Sequence, residues 1–172
     1  MSNYRVAVLP GDGIGPEVMN EALKVLDAVS QKYDVSFEYQ YGLIGGVAYD
    51  KHETPLPEET ISICNTSDAV LLGSIGGPKW DHLPPKLKPE LGGLLALRKS
   101  LNLFANLRPV VFFEPLKSSS PLSQSVLQGR IDMLTVRELA GGIYFGEPKV
   151  LDESRGWIPC STPPKKYNAL LK

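Results

Sequence analysis

A short apolar strand that runs into a glycine loop and then into a helix start constrains this chain more than any other feature. Arg5 to Leu9 (RVAVL) is a β-branched run that stops at Pro10 and the cluster Gly11-Asp12-Gly13-Ile14-Gly15. That pattern predicts a buried strand ending in a tight loop. Pro16 suits a first helical turn, and Glu17 complements the positive end of a helix. Val18, Leu23, Val25, Leu26 and Val29 then give an apolar face through about Tyr33. Alternation at Val35, Phe37, Tyr39 and Tyr41 predicts a second strand, and Glu58 to Asn65 a short helix after Pro55 and Pro57. Ala69 to Gly73 (AVLLG) reads as a fully buried strand. This βαβ rhythm predicts an α/β fold with a mainly parallel sheet flanked by helices on both faces.

From Ser74 to Gly93 the composition changes. Gly76-Gly77-Pro78, Pro84-Pro85 and Pro89 predict a long irregular loop, which in a compact domain points to binding. Leu94 to Leu101 resumes helical spacing, Arg108 to Phe113 reads as extended, Gln124 to Gly129 as a short helix, and Ile131 to Val136 as another strand.

Composition removes several classes of function. With 172 residues, 42% of them hydrophobic, the chain reads as a globular protein. The 18 Lys+Arg and 19 Asp+Glu are spread along it, so there is no basic stripe for nucleic acid. Its apolar runs fall far short of the ~20 residues that cross a bilayer. The N-terminus lacks the pattern of a signal peptide, so neither a membrane partner nor export is expected and the location is expected to be cytoplasmic. Cys64 and Cys160 stand apart, without disulfide or zinc spacing.

Few residues invite chemistry on local grounds. The glycine cluster has GxGxG spacing with Pro16 where a Rossmann fingerprint needs its third glycine, so that fingerprint is rejected. Arg98, Arg108 and Arg137 each lie beside an apolar segment. Three planar guanidinium forks suit a substrate with two carboxylates, or else ion pairs with the chain's own acids. Tyr144 has a phenol that is either a proton donor or a packed core group. His52 and His82 are isolated and read as surface residues, and no Asp/Glu set shows metal-ligand spacing.

Taken together, four segments resemble one family. They are Val8-Leu9-Pro10-Gly11-Asp12-Gly13-Ile14-Gly15-Pro16-Glu17-Val18, LLGSIGGPKWD (71–81), LRKSLNLFANLRP (97–109) and VRELAGGIYFGEP (136–148). In order and wording they are similar to the N-terminal half of the β-decarboxylating dehydrogenases, the isopropylmalate/isocitrate dehydrogenase family, with its homoisocitrate and tartrate members. The resemblance implies that family's non-Rossmann fold, here incomplete. It implies residues 1–103 as part of a first α/β domain, 104–149 as the start of a central, dimer-forming domain, and 150–172 as a divergent, unstructured tail.

The resemblance also implies roles. Arg98, Arg108 and Arg137 would clamp the malate carboxylates, and Tyr144 would be the catalytic acid/base. Ile14, Gly76, Gly77, Pro78, Lys79, Trp80, Asp81 and Glu90 would line the site of an NAD cofactor. Leu94 and Leu95 would contact the substrate's third substituent. An apolar pair there favours the isopropyl group of 3-isopropylmalate over the third carboxylate of isocitrate, because an unpaired carboxylate against leucines is costly. The implied reaction is oxidative decarboxylation of 3-isopropylmalate to 2-oxoisocaproate, in leucine biosynthesis, by a homodimer using Mg2+ or Mn2+. The metal's ligands and a catalytic lysine are not in the matching segments, so this chain is expected to be inactive alone. The alternatives are a non-catalytic fragment and a related β-decarboxylating dehydrogenase.

The resemblance weakens at Lys149, and Ile158 to Lys172 read as unrelated. A one-base slip after Trp157 would turn the following codons into Asp, an apolar pair and a helix-like segment typical of the family, so a frameshift is expected there.

Overall fold

The computed structural model describes residues 2–111, 113, 115, 119–122, 132–139, 150–151 and 156–157. The chain divides into two compact units, Met1–Leu101 and Asn102–Lys172.

In the first unit, β1 (Ser2–Gly11), β2 (Val35–Tyr41) and β3 (Ala69–Ser74) form a parallel sheet in the order β2-β1-β3. Alternate side chains of a strand face opposite ways, and β1 is apolar on both faces because both are covered. On one face Val6 and Val8 pack with Met19 and Leu23 of α1 (Gly15–Lys32), Phe37 and Tyr39 of β2, and Leu71 of β3. On the other, Ala7 and Leu9 pack with Ile44, Cys64 of α3 (Glu58–Thr66) and Leu97 of α4 (Ala96–Ser100). The result is the helix–sheet–helix layering that the sequence pattern implies. The register agrees with it: Val6 is opposite Tyr39 and Val8 opposite Leu71 on one face, while Leu9 is opposite Leu72 on the other.

Four expectations need correction. Strand β1 runs through Pro10 to Gly11 instead of stopping at Leu9. Val18 and Val25 are exposed: the buried stripe of α1 runs through Met19 and Leu23, and Val18 and Val25 lie off that stripe. The strand read as fully buried, β3, is only half-buried, with Ala69 exposed, because among the described residues it pairs with β1 alone and forms a sheet edge. The stretch read as irregular holds three helical turns, Pro78–Trp80, Pro85–Leu87 and the π-helical Pro89–Leu95. Each begins with proline, whose fixed φ and missing N–H are harmless at a first helical position. One element is additional, α2 (Gly46–His52).

In the second unit, β4 (Ala105–Val111) and β5 (Asp132–Glu138) form an antiparallel ribbon, prolonged by the Leu139 N–H donating to the Phe104 carbonyl at 2.7 Å. A two-residue pair, β6 (Val150–Leu151) with β7 (Gly156–Trp157), is also antiparallel. The predicted helix at 124–129 lies outside the described residues. No helix among the described residues is long and apolar enough to cross a membrane.

Candidate functional site at the carboxyl ends of the strands

Parallel strands deliver their following loops to one end of a sheet, where open α/β folds bind ligands. In the first unit these are the loops after β1 (12–14), β2 (42–45) and β3 (75–77). Asp12 joins all three. Its side chain is 1% exposed, and the N–H groups of Gly46 and Gly76 both donate to its Oδ2, each at 2.8 Å, while the Val47 N–H donates to Oδ1 at 2.8 Å. The Asp12 N–H in turn donates to the Ser74 carbonyl at 2.6 Å. A buried carboxylate needs such donors to replace water. No side chain of its own caps α2, and Asp12, 34 positions earlier, satisfies the helix's first N–H groups instead.

The segment from Gly76 to Asp81, predicted to meet the cofactor, is held by its own contacts. Gly76 has φ +98°, a left-handed conformation that favours glycine, and the flexible Glu90 carboxylate lies directly against it. The Trp80 indole lies across Gly46, close enough that a Cβ on Gly46 would enter the ring. The indole Nε1–H donates to Asp50 Oδ1 at 3.1 Å, Lys79 Nζ donates to Asp50 Oδ2 at 2.6 Å, and Nζ lies 5.2 Å from the Trp80 ring centre. The hydrogen bond from Lys79, then that from Trp80, holds the Asp50 carboxyl below the usual carboxylate range. Gly77, Pro78 and Lys79 remain accessible along this segment, and Asp81 is exposed at its end.

Ile14 is 65% exposed at the start of α1, and a Cβ on its neighbour Gly13 would meet nothing within 4 Å. This leaves uncovered backbone and apolar surface beside Asp12, open to a ligand. Leu94 and Leu95 are half-buried at the end of the π-helical turn that starts next to Glu90, and Arg98 follows them, half-buried, on α4. An open, mostly apolar hollow of about 370 Å³ lies beside the same turn, lined by Pro85, Lys86, Leu91, Gly92 and Ala96. His52 and His82 are exposed.

In the second unit the antiparallel register brings two of the three arginines to one face. Asn106 is opposite Arg137 and Arg108 opposite Thr135, so Arg137, Asn106 and Arg108 share one face of the ribbon. The Arg108 Nε–H donates to Asn106 Oδ1 at 3.3 Å. Among the described residues neither Arg98 nor Arg108 forms an ion pair with an acid of the chain. The opposite face carries exposed Leu107, Leu134 and Val136. Tyr144 lies outside the described residues. Among those residues, no three His, Cys, Asp or Glu side chains gather to hold a metal.

The isocitrate/isopropylmalate dehydrogenase family model matches residues 5–166, past Trp157 and into the stretch read as unrelated. The chain belongs to this family. It is 56% identical over 153 residues to a 3-isopropylmalate dehydrogenase of Carboxydothermus hydrogenoformans, a match covering 89% of this chain and 41% of the relative. To one of Geobacillus kaustophilus it is 60% identical over 148 residues, covering 86% and 39%. It therefore spans about two fifths of the length of the curated relatives it matches. Among solved structures, a β-decarboxylating dehydrogenase of Thermococcus kodakarensis is 33% identical with TM-score 0.63, over 91% of this chain and 40% of that one. An isocitrate dehydrogenase of Methylococcus capsulatus gives TM-score 0.68 at 25% identity, over 92% and 43%. The incomplete non-Rossmann α/β fold inferred from the motifs is the one found.

Asp12 and Asp50 are the residues that sequence reasoning passed over. Asp12 sits inside the first motif, but its acceptors' partners are backbone N–H groups that leave no mark in a sequence.

Proposed function

We propose that this chain forms part of a 3-isopropylmalate dehydrogenase of leucine biosynthesis. The observation that carries the reading is 56–60% identity to proteins of that name over nearly nine tenths of the chain. The geometry supports it. Arg108 and Arg137 stand on one ribbon face with Asn106 between them, and such planar donors suit the two carboxylates of a malate unit. Arg98, half-buried on α4 of the first unit, is a further planar donor of the same kind. Leu94 and Leu95, half-buried ahead of Arg98, suit an isopropyl substituent and disfavour a third carboxylate.

In this reading the Gly76–Asp81 segment, Glu90 and Ile14 border an NAD site. NAD bound there would supply a hydride acceptor for the carbinol carbon, with the hydroxyl proton passing to solvent as the ketone forms. The β-carboxylate then leaves as CO2, and Tyr144 protonates the carbon left as an enolate, with its own proton restored from solvent. The family's Mg2+ or Mn2+ would polarise the hydroxyl and ketone oxygen. Among the described residues no ligand set for it gathers; a cytoplasmic homodimer belongs to the same reading.

The test uses the chain alone and a chimera in which residues 1–157 replace the matching segment of a full-length relative. The chimera is expected to reduce NAD with 3-isopropylmalate and the 172-residue chain to show no turnover. In the chimera, Tyr144→Phe lowers kcat with little change in KM, whereas Arg108→Ala raises KM as well. A chimera that is folded but inert, or full turnover by Tyr144→Phe, overturns the assignment.

A further inference from the structure

The segment between β3 and the first helical turn is fastened at two points, and both lead to the start of α2. At Gly76 the N–H donates to Asp12 Oδ2, the same oxygen that accepts from Gly46. Four residues later, the Trp80 indole lies on Gly46 itself and bonds Asp50 of α2. Between these points, Gly77, Pro78 and Lys79 are the part left accessible. We infer that Asp12 is a positioning residue: its carboxylate couples the Gly76–Asp81 segment to the amino end of α2 and so presets the backbone that receives the dinucleotide. This rests on the proposed function for the identity of the ligand, but not for the coupling.

The chemistry of the site makes the carboxylate hard to replace. Three N–H donors point at the two oxygens of a carboxylate that is itself almost wholly shielded from water. In Asp12→Asn one oxygen becomes an NH2 group, so either amide orientation sets a donor against a donor. If the NH2 faces Val47, one N–H is orphaned. If it faces Gly46 and Gly76, the shared oxygen is lost and the segment separates from α2. An orphaned buried donor corresponds to roughly a tenfold or greater change in the local equilibrium.

The coupling is tested first on the unaltered chain, by site-resolved amide hydrogen exchange. Gly46, Val47 and Gly76 are expected to exchange with one common opening free energy, above that of the exposed Lys79 amide. Gly76 exchanging at the rate of Lys79, independently of the other two, overturns the coupling whether or not any variant folds. In Asp12→Asn, protection at these three amides is expected to fall about tenfold while Ala7 and Val8 of β1 keep theirs. An equal loss across β1 makes Asp12 a general stability residue and overturns the proposal. In the chimera, Asp12→Asn is expected to raise KM for NAD about tenfold, with kcat and KM for 3-isopropylmalate changed less than about twofold. A loss confined to kcat overturns the positioning role. If the unaltered chimera ignores NAD while the exchange result holds, the functional reading fails and the coupling stands.

Discussion

Replacing Gly46 by alanine sets two physical rules against each other. Helix propensity favours the change, because alanine at a helical position costs less conformational entropy, by at most about 1 kcal/mol and less in a first turn. Packing opposes it. The added Cβ would enter the Trp80 indole, which is buried and held by Asp50 and Lys79 and so cannot step aside. Overpacking of this kind costs about 1–3 kcal/mol. The net expectation is a loss of roughly 1–2 kcal/mol. With a urea slope of about 2 kcal/mol/M, the unfolding midpoint followed by far-UV circular dichroism would fall by about 0.5–1 M. In a Trp80→Leu background the obstacle is gone, and Gly46→Ala is expected to be neutral or mildly stabilising, so the two sites show a clear coupling energy. A midpoint that rises on Gly46→Ala in the native background, or the same loss in both backgrounds, would refute the close approach of Trp80 to α2.

Other perturbations probe the rest of the first unit. Leu9→Ala, at a fully buried position between α3, α4 and the sheet, is expected to cost about 2–5 kcal/mol in chemical denaturation. The Tyr39 phenol is pushed up to about 12, by burial first and then by its hydrogen bond to Asp27 at 3.0 Å. Its folded value lies above the unfolded one, so its contribution is complete below pH 10 and is lost as pH rises through 12. In an ultraviolet phenolate titration Tyr39 should ionise late, and Asp27→Asn should bring it back toward 10. Burial raises the Cys64 thiol, so a disulfide reagent should modify it slowly in the native chain and quickly in denaturant.

Much of the first unit is legible in the sequence because its elements obey simple periodicities. The β-branched run at Val6–Leu9, the alternation at Val35–Tyr41 and the apolar run at Ala69–Gly73 each became a strand. Helix α2 was not legible, because it starts at paired glycines and is capped by a carboxylate 34 residues away. Proline density from Ser74 to Gly93 reads as loop unless each proline is seen as the first residue of a helical turn. Burial of β3 misled because an apolar strand looks central even where this stretch of chain leaves it at an edge. Placing Arg108 and Arg137 on one face needs the antiparallel register, and no local pattern specifies that.

In the proposed function, the carboxyl ends of the strands and the turn carrying Leu94 and Leu95 belong to an enzyme that takes a malate with an apolar substituent. The most direct measurement is the ratio of kcat/KM for 3-isopropylmalate to that for isocitrate in the chimera carrying residues 1–157. A third carboxylate left unpaired against Leu94 and Leu95 should place that ratio above about 100. A ratio at or below one would contradict the account.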